Sequence, residues 1–131
     1  LRPTVLDLGL KNALQALTDR ITASGDVRVA LQVTGSDRKL DPEVELAVYR
    51  IAQESLSNVI QHSGAENVKV RFCSQDHIEL EIADDGDGFD PDRPTVRYGI
   101  VGMRERAMLA GGTLNIYSEP RKGTTVRLEI P

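Results

Sequence analysis

Val68-Lys69-Val70-Arg71-Phe72-Cys73-Ser74-Gln75-Asp76-His77-Ile78-Glu79-Leu80-Glu81-Ile82 decides the fold class. Apolar residues at 68, 70 and 72, and again at 78, 80 and 82, alternate with mostly polar ones. Each run therefore has one face for a core and one for water, the signature of a half-buried strand. Ser74-Gln75-Asp76 connects the two. Strands that follow each other so closely argue against a doubly wound parallel sheet, in which a helix separates successive strands.

Upstream, Asp41-Pro42-Glu43 opens a helix: Asp as the cap, Pro at the first helical position, and acids in the first turn. Val44, Ala47, Val48, Ile51 and Ser55 carry it to about His62, where Ser63-Gly64 ends it. Earlier still, Val27, Val29, Leu31 and Val33 form an alternating strand, broken by Gly35-Ser36-Asp37. A first helix from Val5 to Ser24 carries Leu10, Ala13, Leu14, Leu17 and Ile21 at helical spacing. Downstream, a loop rich in Gly, Asp and Pro runs from Asp84 to about Arg97. A helix from about Ile100 to Ala110 then stops at Gly111-Gly112. Leu114 and Ile116, then Val126, Leu128 and Ile130, make a last hairpin around Pro120-Arg121-Lys122-Gly123. The order α-β-α-β-β-α-β-β predicts an α+β two-layer sandwich, a mixed sheet packed under three helices.

Composition narrows the function. The chain has 131 residues, 40% hydrophobic and 27% charged, which fits one globular domain. Sixteen basic against twenty acidic residues give a formal charge of -4, against bulk-charge binding to nucleic acid or anionic lipid. One cysteine, Cys73, cannot close an intrachain disulfide, and with two histidines it is too little for a zinc cluster. No apolar run approaches the ~20 residues of a membrane helix, and no signal peptide heads the chain. These features predict a cytoplasmic domain without membrane contact of its own. A start at Leu1 rather than Met reads as a piece of something longer.

Four segments carry possible chemistry. Glu54, Asn58, Gln61 and His62 follow i, i+4, i+7, i+8 spacing, so one helix face bears four hydrogen-bonding side chains. A carboxylate with an amide one turn on suits a hard cation; a solvated stripe with Glu54 paired to Arg50 would give the same pattern. Asp84-Asp85-Gly86-Asp87-Gly88 places a carboxylate at a strand end, followed by glycines that let a ligand ring approach the backbone. Such a carboxylate can read the exocyclic amine of adenine, or the segment is simply a tight acidic turn. The EF-hand spacing fails, because no Glu stands at the twelfth position. Gly99 and Gly102 at the start of a helix would offer free N–H groups to phosphate, with Arg97, Arg104 and Arg106 nearby. No P-loop sequence occurs. Gly123-Thr124 opens the last strand, where Thr124 is either an ordinary strand former or a neighbour of the same site.

In this order the four segments resemble the ATP-binding domain of the GHKL superfamily, which includes gyrase-type topoisomerases, heat-shock chaperones, sensor histidine kinases and MutL. Glu54-x-x-x-Asn58 is similar to its N box, Asp84-x-Gly86-x-Gly88 to its G1 box, Gly99-x-x-Gly102 to its G2 box, and Gly123-Thr124 to its last element. Asn58 to Ser63, the run Gly102-Met103-Arg104-Glu105-Arg106, and the opening Leu1 to Leu10 resemble sensor histidine kinases that signal to LuxR-type response regulators. The short interval 89–98 is similar to the short ATP lid of that class.

The resemblance implies a Bergerat-type ATP-binding fold over 1–131, with 1–24 next to a linker and the upstream dimerisation and phosphoacceptor domain absent. It implies ATP and Mg²⁺, with Asn58 binding the metal and Glu54 orienting its water or the attacking group. Asp84 would accept from the adenine amine, with Thr124 supporting it through water. Gly86 and Gly88 would admit the base, Gly99 and Gly102 would face the phosphates, and His62 would lie near the triphosphate or ribose. The γ-phosphoryl group would pass to a histidine on a separate dimerisation domain. Neither His62 nor His77 matches that acceptor, whose His-Asp helical setting is missing. Gln61 departs from the Lys or Arg of many relatives, and Asp85 from a common Asn. An anti-sigma-type serine kinase and a non-catalytic ATP-binding module are the alternatives. The 89–98 lid is expected to be the most mobile internal segment without nucleotide.

Overall fold

The computed structural model describes every residue except Leu1, Asp37, Arg38, Phe89 and Pro91. Leu1 of the opening segment, Asp37 of the first strand's turn, and Phe89 and Pro91 of the expected lid thus lie outside the described residues. After a 3₁₀ turn at Thr4–Leu8 come α1 (Leu10–Ala23), β1 (Arg28–Gly35) and α2 (Pro42–Asn58). Then follow β2 (Asn67–Ser74), β3 (Ile78–Asp84), α3 (Pro94–Leu109), β4 (Thr113–Glu119) and β5 (Gly123–Ile130). The five strands form one sheet in the order β1-β2-β3-β5-β4. β1 pairs with β2 in parallel and every other pair is antiparallel, so the sheet is mixed as expected.

Alternation along the strands builds the two layers. Val70 lies opposite Ile82, and Ile82 opposite Val126. Phe72, Leu80, Leu128 and Leu114 make the next row, also in register. These side chains are buried with Leu14 and Leu17 of α1, Ile51 and Leu56 of α2, and Met103 and Ala107 of α3. The opposite face carries the intervening charged residues. Arg127 bridges Glu79 at 2.7 Å and Glu129 at 3.0 Å, and Arg71 bridges Glu81 at 3.4 Å. The Arg127 guanidinium holds the Glu79 carboxyl below its ordinary range. A face tied up this way stays in water, which leaves the helices on one side only. Among the described residues no helix is long and apolar enough to cross a membrane.

The C-terminal end of α2 and the start of α3 bear on the site. Asp41 caps α2 by accepting from the Glu43 N–H at 3.0 Å, and Pro42 takes the first helical position. After Asn58 the helix does not simply stop. It widens into a π turn, Val59–Ser63, closed by left-handed Gly64. The Ser63 hydroxyl donates to the Val59 carbonyl at 2.9 Å and accepts from the Ala65 N–H at 3.2 Å.

Helix α3 corrects the sequence reading, because it begins at Pro94 and not near Ile100. Pro94 occupies the first helical position, and Arg93 before it is extended, as a residue preceding proline prefers. Val96 is fully buried in that first turn. Burying a valine stabilises by about 1.5–3 kcal/mol, enough to hold a helical turn that polar neighbours would leave loose. The 94–98 half of the expected lid is therefore helical here. The loop proper ends at Arg93.

Candidate functional site

Antiparallel pairing brings the end of β3 between the start of β2 and the start of β5, since Asp84 lies opposite Val68 and Ala83 opposite Thr125. The π turn after α2 reaches the same edge. Asp87 beyond β3 donates its N–H to the Ser63 carbonyl at 2.7 Å, and the Arg121 N–H donates to the Asp87 carbonyl at 2.9 Å. Residues distant in sequence are thus fixed around one corner by backbone hydrogen bonds.

Asp84 is the centre of that corner. It is 9% exposed, and its Oδ1 accepts from the Gly86 N–H at 2.9 Å. The Thr124 backbone N–H donates to the same carboxylate. Burial raises the Asp84 carboxyl above its ordinary pKa; the two N–H groups oppose this and the neighbouring Asp85 charge adds to it. The residue is an acceptor that two backbone donors leave incompletely neutralised. Gly123 stands at φ +89°, and any Cβ there would run into the Asp84 carbonyl oxygen. Only glycine lets β5 lie this close to the Asp84 backbone. Gly86 packs on the Ser63 carbonyl, and Gly88 lies against Ser118 and Glu119 of β4. Both glycines of the loop therefore touch backbone as well as facing the corner.

The α2 wall is less uniform than its spacing suggests. Asn58 is 4% exposed, whereas Gln61, inside the π turn, is exposed. Glu54 is half-buried against α3, so close that a Cβ on Gly99 would strike its carboxylate. The Nδ2 of Asn58 and the Nδ1 of His62 are buried without a hydrogen-bond partner among the described residues. Buried polar atoms are nearly always paired. Two orphans on one wall mark a surface shaped for something polar that is not part of the chain. Glu54 and Asn58 offer oxygen donors one turn apart, and no group of three or more acidic, His or Cys ligands occurs among the described residues. That donor set fits Mg²⁺, which keeps waters and substrate oxygens in its shell and does not need an all-protein cage.

Gly99 and Gly102 are not at a helix start. Both lie inside α3, because Pro94 opens that helix. Gly99 serves the crossing with Glu54, whereas a Cβ on Gly102 would meet nothing within 4 Å. Thr124 touches Asp84 through its N–H, while its hydroxyl pairs with Ser118 Oγ at 2.9 Å. His77 is exposed in the turn before β3, 3.6 Å from Glu79 and far from the corner, and takes no part.

Residues 43–131 match the family of histidine kinase-, DNA gyrase B- and HSP90-like ATPases. The chain belongs to that family. Membership in this ATPase family makes it an ATP-binding domain. Over 99% of its length it is 36% identical to the signal transduction histidine-protein kinase/phosphatase DegS of Bacillus subtilis, spanning 36% of that protein. Over its whole length it is 36% identical to the oxygen sensor histidine kinase NreB of Staphylococcus carnosus, spanning 39% of it. The chain thus covers less than half of either relative. In fold it is similar to the histidine kinase domain of an Erythrobacter litoralis blue-light activated histidine kinase. That likeness has a TM-score of 0.74 at 20% identity, over 93% of this chain and 60% of the other.

Sequence reasoning missed Ser63, which reads as a plain helix stop yet ties the π turn to the loop. It also passed over Asn67 and Ser118, single polar residues at strand ends with no spacing signal. The Asp84 geometry makes a prediction with a definite sign. Its raised pKa means the native state holds the proton more tightly, so Asp84 contributes stability at low pH that is lost as pH rises from 3.8 through the folded value. Asp84→Asn should therefore unfold at a higher temperature than wild type at pH 7 and lose that advantage near pH 3. The same variant should bind ADP about ten- to hundredfold more weakly, as loss of a charged acceptor requires. Thermal unfolding across pH, paired with ADP titration, checks both.

Proposed function

We propose that residues 1–131 act as the catalytic unit of a two-component sensor kinase, binding Mg-ATP and donating the γ-phosphoryl group to a histidine on a separate dimerisation domain. The observation that carries the reading is the pairing of a buried acceptor at Asp84 with an α2 wall bearing Glu54 and two unpartnered buried atoms. The histidine kinase relatives support the same reading over the full chain. α1 shares the core with the sheet and α2, which supports treating 1–131 as a single unit. A LuxR-type response regulator is the proposed downstream partner.

Asp84, through the oxygen not engaged by Gly86, accepts from the adenine amine, and Gly86 and Gly88 leave room for the base. The Asn58 amide oxygen would hold Mg²⁺, and Glu54 would orient a water or the attacking imidazole. His62, with Nδ1 free, lies toward the ribose or phosphates. When bound, Mg²⁺ neutralises charge on the transferring phosphoryl group, and the rest of catalysis is positioning. For Gly99 and Gly102 to give N–H groups to phosphate, the turns Pro94–Tyr98 must open. The helix is built for it: a glycine inside a helix costs about 1 kcal/mol relative to alanine, and Gly102 repays none of this in packing.

Gly102→Ala should therefore stabilise the chain by about 0.5–1 kcal/mol in urea unfolding while weakening ATP binding severalfold. A gain in stability with unchanged affinity would leave Gly102 without a role at the phosphates. The transfer itself is read with γ-labelled ATP. The isolated chain should bind ATP and take no stable label. Joined to the dimerisation domain of its kinase, it should label that domain's histidine in an acid-labile, base-stable form. Acid-stable label on a protein partner would instead point to serine transfer.

A further inference from the structure

Asp85 draws no attention as a site residue, being exposed and followed by glycine. Its hydrogen bonds are nonetheless the densest in the corner. Oδ1 accepts from the backbone N–H groups of both Glu66 and Asn67, each at 2.9 Å. Oδ2 accepts from Asn67 Nδ2 at 2.9 Å. The Asp85 N–H in turn donates to the Asn67 carbonyl at 3.2 Å. The regular β2–β3 ladder ends at Val68 opposite Asp84, so this clasp extends the pairing one residue into the loop.

We infer that the Asp85–Asn67 clasp is a positioning device that sets the direction of the Asp84 carboxylate and thereby the selectivity of the site for adenine over other purines. The inference rests on the proposed reading of Asp84 as the adenine acceptor. Residue 85 is the covalent link between the end of the strand and Gly86. The Gly86 N–H holds Asp84 Oδ1, so whatever fixes residue 85 fixes the angle at which the other oxygen points. Gly86 cannot retreat, because it already touches the Ser63 carbonyl. Hydrogen bonds to a carboxylate are stronger than neutral ones, and three bonds between Asp85 and Asn67 with a fourth from Glu66 leave little freedom. Donation by those N–H groups also holds the Asp85 carboxyl below its ordinary range, so the clasp is charged at neutral pH.

Selectivity is the property that separates this role from mere support. A site that accepts from a substrate amine rejects an analogue bearing a carbonyl there, because its buried acceptor is left unpaired. The probes are ADP and IDP, which differ at that position, titrated in the same Mg²⁺ buffer with a thermal-unfolding control. Wild type should prefer ADP. Asp85→Ala, a surface change, should stay folded and lose about three- to tenfold in ADP affinity while IDP affinity holds, so the preference narrows. The reciprocal pair Asp85→Asn with Asn67→Asp keeps one carboxylate and one amide across the clasp and should restore the preference. A folded Asp85→Ala with an unchanged ADP-to-IDP ratio would overturn the inference, as would equal loss for both nucleotides. A wild-type chain that takes ADP and IDP alike would remove the adenine reading of Asp84 itself, and this inference with it.

Discussion

Asp84 sits where β3 leaves the sheet, and it is held there between two demands. Burial disfavours its charge, and two backbone N–H groups restore only part of the lost hydration. The surrounding structure follows from keeping that carboxylate in place. A Cβ on Gly123 would strike the Asp84 backbone carbonyl, and one on Gly86, whose N–H donates to the carboxylate, would strike the Ser63 carbonyl. β4 meets β5 at Ser118 and Thr124, which fixes the second donor. Asp84 thus costs stability at neutral pH yet is held by the loop after its own strand and by β5.

The second wall obeys the same logic with a different element. A regular helix would carry Asn58, Gln61 and His62 round one cylinder. The π turn at Val59–Ser63 breaks that phase, leaving Gln61 in water and the His62 Nδ1 buried. It also delivers the Ser63 carbonyl to Asp87. One local widening thus links the α2 wall to the loop that follows Asp84. Opposite it, Gly99 lets α3 close on Glu54, so the helix that forms early from Pro94 covers part of the same corner.

The fold was legible where the signal is side-chain alternation. Residues 68–82 read as two strands, and the structure pairs them residue for residue, with the expected α+β layers and mixed sheet. Asp41-Pro42 announced α2 because capping chemistry is local. The start of α3 was not legible, because Pro94 through Gly99 has loop composition and its helicity depends on burying Val96, a tertiary effect. The π turn was hidden for a related reason: its hydrogen bonds are made by backbone and by Ser63, a residue that ends helices as often as it braces them. In the site, Glu54, Asn58 and Asp84 stood out by spacing, whereas Asn67, Asp85 and Ser118 act through contacts between strand ends that no spacing encodes.

The proposed function depends on Asp84 being an ionisable acceptor that the fold leaves short of partners and a nucleotide completes. Carbon-detected NMR titration of the Asp84 carboxyl, with and without saturating ADP, tests this directly. The free protein should titrate Asp84 above the ordinary 3.8, and ADP should lower that midpoint, since a new donor favours the charged form. A midpoint that ADP leaves unmoved, or moves upward, would contradict the claim that this carboxylate receives the base.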